Sequence, residues 1–252
     1  MNPVKQTVSP VLRRLLDLLA EEDIFREFYL AGGTGLALLI NHRRSVDLDF
    51  FSRRNRLDFS DRRRLLAVLQ SLPGWKEIEA KDGTVHGQVN RVKVSFFWYD
   101  VPLLRPLVRQ GTLRIASLTD IGLMKIGAII GRGSRKDFAD LYAICRRNSL
   151  RGLLSKAPRK FKHSRDFTLQ ALKALSFFED AEREPPLTGM RWTWDRIKAF
   201  FEAEVCALAR ADLASSASAG SILDQVSWKW ERQSIRKEDI KAAVRWVRKR
   251  KR

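Results

Sequence analysis

The chain has 252 residues and a hydrophobic fraction of 44%, which suits one large soluble domain or two smaller ones and makes a folded chain the expectation. No apolar run reaches the roughly 18 residues that a membrane-spanning helix needs. Lys and Arg number 48 against 29 Asp and Glu, a formal net charge of +19 that points to a polyanionic partner such as RNA or DNA, the alternative being a solvated basic surface.

Residues 1–9 lack the basic segment, apolar segment and cleavage site of a secretory signal, so a cytoplasmic protein is expected. Residues 11–28 carry Leu12, Leu15, Leu16 and Leu19 on one face and read as an amphipathic helix. Residues 28–31 read as a short strand that runs through Gly32-Gly33-Thr34-Gly35 into a helix over 36–40. After a polar turn, residues 46–51 alternate acids with apolar side chains, as a strand does. Residues 60–72 read as a helix capped by Ser60 or Asp61. Residues 84–89 and 92–99 read as a hairpin around Asn90-Arg91, although this is not the pair that a tight turn prefers. A short strand over 113–116, a helix over 117–130 and a helix over 134–146 capped by Ser134 follow.

Beyond residue 150 the strand patterns cease. Residues 166–181 and 193–211 have helical spacing, with a loop at Pro185-Pro186 between them. Trp192, Trp194, Phe200 and Phe201 read as core between these helices rather than as a base-stacking platform. A last helix opens at Ser234, follows Trp228 and Trp230, and ends in the basic run 248–252, a candidate nucleic-acid contact or a solvated face. Cys145 and Cys206 offer neither a disulfide framework nor metal-ligand spacing and read as buried inert thiols. The predicted fold class is α+β, a small mixed sheet flanked by helices over residues 1–150, then a helical region over 151–252.

The chemistry concentrates in residues 30–52, L-A-G-G-T-G-L-A-L-L-I-N-H-R-R-S-V-D-L-D-F-F-S. Two positions apart on a strand, Asp47 and Asp49 project to one side. Two such carboxylates repel unless a cation lies between them, and Mg2+ or Mn2+ fits oxygen ligands with positions left for water and phosphate. The competing reading is a solvated strand face, with the acids paired to arginines. Gly32, Gly33 and Thr34 stand between a strand and a helix, where glycines admit close approach and the helix N-terminus attracts phosphate. A tight turn with a capping Thr is the alternative there. Arg43 and Ser45, just before the acids, suit a triphosphate; Arg43 equally suits pairing with Asp47 or Asp49.

These residues carry a family resemblance. Gly-Gly-Thr, then His42-Arg43-Arg44-Ser45 and Asp47-Leu48-Asp49-Phe50-Phe51, resembles the first motif of AbiEii-type nucleotidyltransferases, toxin components of type IV toxin–antitoxin and phage-resistance systems. Downstream, D-I-G-L-M-K over 120–125 and R-G-S-R-K-D-F-A-D-L over 132–141 are similar to later motifs of that family. The resemblance implies the fold of polymerase-beta-like nucleotidyltransferases and a roster of roles. Asp47 and Asp49 would bind metal. Gly33, Thr34 and Ser45 would contact the triphosphate, with Gly32 and Arg43 beside them. Lys125 would sit near the phosphates, Asp137 would be catalytic or orient the acceptor, and Asp140 would support it.

Two departures stand out. Many enzymes of the superfamily place a third carboxylate on a later strand; here that position is taken by Ser95, and Asp100 lies further along. Asn41 also stands where the family often has glycine. The reaction so implied moves a nucleoside monophosphate from an NTP to an acceptor, which the net charge makes RNA and the family makes a tRNA 3′ end. A cognate antitoxin is implied as a partner. A protein acceptor modified on Ser, Thr or Tyr is the rival within the enzyme class. A non-catalytic nucleic-acid-binding module is the rival outside it, although a binder of phosphates gains nothing from clustered acids.

Overall fold

The structure is a computed structural model that describes residues 8–187 and 189–216. The expected last helix, with Trp228, Trp230 and the basic run, lies outside these residues. Packing divides the chain into two units. The first holds the chain up to Met124, with Arg159–Phe161 and residues 189–191; the second holds Lys125–Pro158, the rest of 162–187, and the described residues from Trp192 onward.

In the first unit, Ser9 caps α1 (Pro10–Glu21) by accepting from the Leu12 amide. Leu12, Leu15, Leu16 and Leu19 face the core, as expected. The helix stops earlier than its apolar pattern suggests, and a 3-10 turn (Asp23–Glu27) turns Phe25 inward. Then come β1 (Tyr29–Leu30), α2 (Gly32–Ile40), β2 (Leu48–Ser52), α3 (Phe59–Ser71), β3 (Trp75–Lys81), β4 (Thr84–Val89), β5 (Val92–Trp98), β6 (Val108–Gln110) and β7 (Leu113–Ile115). They form one mixed sheet in the order β3-β4-β5-β2-β1-β7-β6. The β2–β5 and β1–β7 pairs are parallel and the other pairs antiparallel.

One sheet face is the core. Phe50 and Phe96 stack across β2 and β5 at 5.2 Å, with Phe25 and Phe28 edge-on against them. On the other face Tyr29, Phe51 and Phe97 stack in a row, with ring centroids 6.0 and 5.1 Å apart. The hairpin turn adopts the expected position with Asn90 and Arg91 both left-handed, φ 48° and 70°. Two strands escaped the sequence pattern. β3 is an exposed edge strand without apolar alternation, held by pairing with β4, and the Trp75 ring lies where Gly87 leaves room for it. β6 is a three-residue edge strand. The α3 cap is Asp58, which accepts from the Asp61 amide, rather than Ser60 or Asp61.

The second unit is helical. The α4 helix (Leu118–Gly131) contains the Met124/Lys125 division; α5 (Arg135–Cys145), α6 (Leu150–Leu154), α7 (Ala157–Lys160), α8 (Phe167–Leu175), α9 (Glu179–Glu182) and α10 (Trp194–Ser216) follow. The expected helix over 166–181 is broken. Ser176 turns its hydroxyl back onto the carbonyls of Leu172 and Lys173, and α9 restarts three residues later. Phe138, at the centre, touches Phe178, Trp194 and Phe201 edge-on or tilted, and Tyr142 is flanked by Trp192 and Phe200. The C-terminal aromatics are thus packing residues. Cys145 is half-buried and Cys206 is exposed, so the expectation of two buried thiols fails for Cys206, which lies on the outer side of α10.

Candidate active site

The β1–α2 junction is a sharp reversal that only glycine permits. Gly32 has φ +61°, a left-handed value that costs other residues about 1–2 kcal/mol. A Cβ there would also collide with the Asp49 carboxylate, well inside 3.0 Å. At Gly33 a Cβ would strike the Arg43 guanidinium and lie 3.1 Å from the Ser45 hydroxyl. The two glycines are therefore the floor on which Asp49, Arg43 and Ser45 rest. These residues, 17 positions apart at the extremes, are brought together by pairing of β1 with β2, in which the Ala31 amide bonds the Asp49 carbonyl at 3.0 Å.

Asp47 lies one residue before β2 rather than inside it. Burial still alternates from Asp47 to Phe50: Asp47 and Asp49 are half-exposed, while Leu48 and Phe50 are buried. The two acids thus share a phase, opposite the apolar core. Thr34 is placed differently from the expectation of a ligand contact. It is fully buried, and its hydroxyl donates to the Asp47 carbonyl and shares a hydrogen bond with the Ser45 hydroxyl at 2.9 Å. It anchors the segment that carries Ser45 and Asp47. Asn41 ends α2 in the left-handed conformation, φ 52°, which asparagine tolerates as glycine does.

The position of the missing third acid is now explicit. Ser95 on β5 is the direct cross-strand partner of Asp49, and His86 on β4 is the partner of Ser95. The His86 ring nitrogen Nδ1 lies 3.0 Å from Ser95 Oγ. Both side chains are half-exposed on the sheet face of Asp49. His86 was not legible as a site residue, because a histidine in an alternating strand carries no local signal of its cross-strand neighbour. Among the described residues no three His, Cys, Asp or Glu side chains converge to hold a metal unaided. Asp49 above Gly32, with Asp47 in the same phase of the chain, still fits Mg2+, which is commonly bound by one or two carboxylates with water and substrate phosphates completing its shell.

The remaining expected site residues form a cluster in the second unit. Lys125 Nζ lies 2.9 Å from Asp137 Oδ1 and 2.6 Å from Asp140 Oδ2. The i, i+3 spacing on α5 aims both carboxylates at one ammonium. Arg132 Nε and Ser134 Oγ donate to the second Asp137 oxygen at 2.9 and 2.6 Å. Asp137 and Asp140 side chains are fully buried, Lys125 8% exposed and Arg132 62% exposed. Burial alone would raise the Asp137 pKa; Lys125, Arg132 and Ser134 outweigh it and bring the value down to about 2. Burial likewise works against the charge on Lys125, and Asp140 and Asp137 outweigh it, holding the ammonium above its ordinary pKa.

Asp120, from the same stretch of motif as Lys125, has a structural role in the first unit. It accepts from the Ser117 hydroxyl, the amides of Leu104 and Arg105, and Lys160 Nζ at 2.8 Å, and both partners of that ion pair are fully buried. Lys160 also donates to the Pro102 carbonyl. Burial pushes the Lys160 pKa down and Asp120 offsets part of it.

The family described as nucleotidyl transferase AbiEii toxin, type IV TA system, matches residues 13–207. An uncharacterized protein of Aquifex aeolicus (strain VF5) is 35% identical over 211 residues, covering 81% of this chain and 97% of that protein. Among solved structures the chain is similar to MenT4, a nucleotidyltransferase toxin of Mycobacterium tuberculosis H37Rv, at 14% identity and a TM-score of 0.49, covering 94% of this chain and 92% of that one. It is also similar to the antibiotic-resistance factor ANT(2'')-Ia at 14% identity and a TM-score of 0.47, covering 62% and 94%. No described helix is long and apolar enough to cross a membrane. With the family matched over residues 13–207, the chain belongs to the AbiEii nucleotidyl transferase toxins of type IV toxin–antitoxin systems and is a nucleotidyltransferase.

Proposed function

We propose that the chain transfers a nucleoside monophosphate from an NTP, held with a divalent cation over the Gly32-Gly33 floor, to an RNA acceptor in the cytoplasm. The observation that carries this reading is the Asp49 carboxylate and the Arg43 guanidinium seated side by side over two glycines that admit no side chain. Negative and positive groups so placed suit a cation and a polyphosphate in one pocket. Mg2+ bound at Asp47 and Asp49 would neutralise charge growing on the α-phosphate. Arg43, Ser45 and the amides at the start of α2 hold phosphate oxygens, while Thr34 keeps Ser45 and the Asp47 backbone in place. The acceptor hydroxyl attacks the α-phosphate in line, its oxygen forms the new P–O bond, and pyrophosphate leaves.

The proton of that hydroxyl needs an acceptor, and with Ser95 in place of a third carboxylate the Ser95–His86 pair is the nearest candidate on the Asp49 row. In the second unit the Asp137 carboxylate is saturated with donors and its pKa is about 2. That makes Asp137 a poor general base and a strong holder of Lys125, so we assign Asp137 and Asp140 the role of keeping Lys125 charged and fixed within the second unit. A net charge of +19 favours RNA over a protein acceptor, and the family name implies a cognate antitoxin as a partner.

The test is label transfer from each α-labelled NTP to total tRNA with Mg2+. Transfer that is lost in Asp49→Ala and on chelation supports the reading. Label in a protein band instead assigns a protein acceptor, and RNA binding without transfer, indifferent to Asp49→Ala, assigns a binding module.

A further inference from the structure

A feature with no assigned role lies toward the β6 edge of the sheet. β6 and β7 pair so that Arg109 stands directly opposite Arg114. Like charges in that position weaken a strand pair. Arg114 is nonetheless held in place, its Nη2 donating to the Phe28 carbonyl at 2.9 Å, just before β1. On the other side of β1, Ser52 donates to the Glu27 carbonyl at 2.8 Å and accepts from the Arg54 amide at 3.2 Å, which fixes the Arg54 backbone at the same end. Burial, Arg109 and Arg54 all push the Arg114 guanidinium below its ordinary pKa, and no carboxylate opposes them. Among the described residues none of these three arginines forms an ion pair with an acid. Three clustered guanidiniums without an acid raise the free energy of the folded chain until an anion joins them.

Orientation connects this cluster to the candidate active site. Ile115 pairs with Leu30, and Leu30 with Phe50, on the core face. By alternation Arg114, and with it Arg109, lies on the opposite face, which carries Asp49. Asp49 and Arg54 are joined by at most about 18 Å of extended chain. A helical nucleic-acid strand places about five phosphates along that length.

We propose that Arg54, Arg109 and Arg114 form a docking site for the phosphate backbone of the acceptor RNA, a few nucleotides from the end that receives the NMP. This rests on the reading of RNA as acceptor. It assigns the RNA backbone, rather than the NTP, to these three side chains.

The test is equilibrium binding of the full chain to fluorescent total tRNA, with EDTA and without NTP, across a salt series. The triple variant Arg54→Gln/Arg109→Gln/Arg114→Gln should bind about 100-fold more weakly at 0.1 M salt and flatten the log K against log salt slope by about 2–3. A charge-matched control, Arg13→Gln/Arg14→Gln/Arg63→Gln, should lose less than about fivefold, since those exposed arginines lie on α1 and α3. Arg109→Gln alone should raise Tm by about 1–3 °C while weakening RNA binding, a pairing of effects that damage to the fold does not produce. Equal losses in both triple variants overturn the proposal. So does a loss of NTP affinity or of polyglutamate binding with RNA binding intact; the latter would assign the surface to an acidic protein. If docking behaves as expected but the parent chain labels no RNA, the acceptor reading fails and the docking site stands. If RNA is labelled with unchanged KM in the triple variant, the docking site fails and the acceptor reading stands.

Discussion

Asp49 and Asp137 are both acids with a cationic side chain nearby, and they stand in opposite conditions. Asp49 is half-exposed above a glycine floor, with Arg43 next to it on the same floor. Asp137 is fully buried, with Lys125, Arg132 and Ser134 saturating both its oxygens. Asp137 has spent its lone pairs on the fold, and its removal takes an acceptor from Arg132 and leaves Lys125 with Asp140 as its remaining carboxylate. The difference in burial makes distinct demands on mutagenesis.

The sharpest break in the comparison is Asp49→Asn. Transfer should fall by roughly 10^3-fold while stability changes by less than about 1 kcal/mol. Asp137→Asn should instead cost about 3–5 kcal/mol, read as a lowered denaturant midpoint, with lost transfer following from the displaced Lys125. If Asn at 49 destabilises as much as Asn at 137, the two acids do not differ in kind and the contrast is wrong.

Acid titration sharpens it further. The Asp137 pKa of about 2 in the folded chain is below the ordinary 3.8, so the unfolded chain binds this proton more readily. The resulting stability is fully present above about pH 4 and is lost as pH falls from there through 2. It amounts to about 2–3 kcal/mol. Melting curves between pH 5 and 2 should show that slope in the parent chain and a shallower one in Asp137→Asn; equal slopes would remove Asp137 as its source.

Gly32→Ala probes the floor beneath Asp49. It imposes a left-handed alanine and displaces the carboxylate, so stability should drop by about 1–2 kcal/mol and transfer by more than stability explains. The smallest effect lies away from both acids. Arg91 sits at φ 70° in the β4–β5 turn, where glycine is the preferred residue, and Arg91→Gly should raise stability by about 1 kcal/mol with transfer unchanged.

Much of the first unit was readable from local pattern. The leucine stripe of α1, the alternation through β2 and β5, and the Asn90-Arg91 turn all express short-range periods that the tertiary fold leaves intact. What escaped was held by partners. β3 and β6 have no apolar alternation and exist because β4 and β7 supply their hydrogen bonds. Asp58 displaced Ser60 as cap because Ser60 itself donates to Asp58. At the candidate site the Gly-Gly-Thr and Asp-x-Asp spacing was visible, whereas the burial of Thr34 and the Ser95–His86 pair depend on strands whose register no single segment encodes.

By itself the sequence determined that Asp47 and Asp49 alternate with the buried Leu48 and Phe50, although Asp47 falls just outside the strand, and that Asp137 and Asp140 share one side of a helix, because those directions follow from backbone periods of 2 and 3.6. Only the tertiary structure decided which acids stay half-exposed and which are buried. Burial and hydrogen-bond saturation are set by elements distant in the chain, such as Gly32 beneath Asp49 and Lys125 between Asp137 and Asp140. The chemistry left to a carboxylate is fixed by what those distant neighbours take from it.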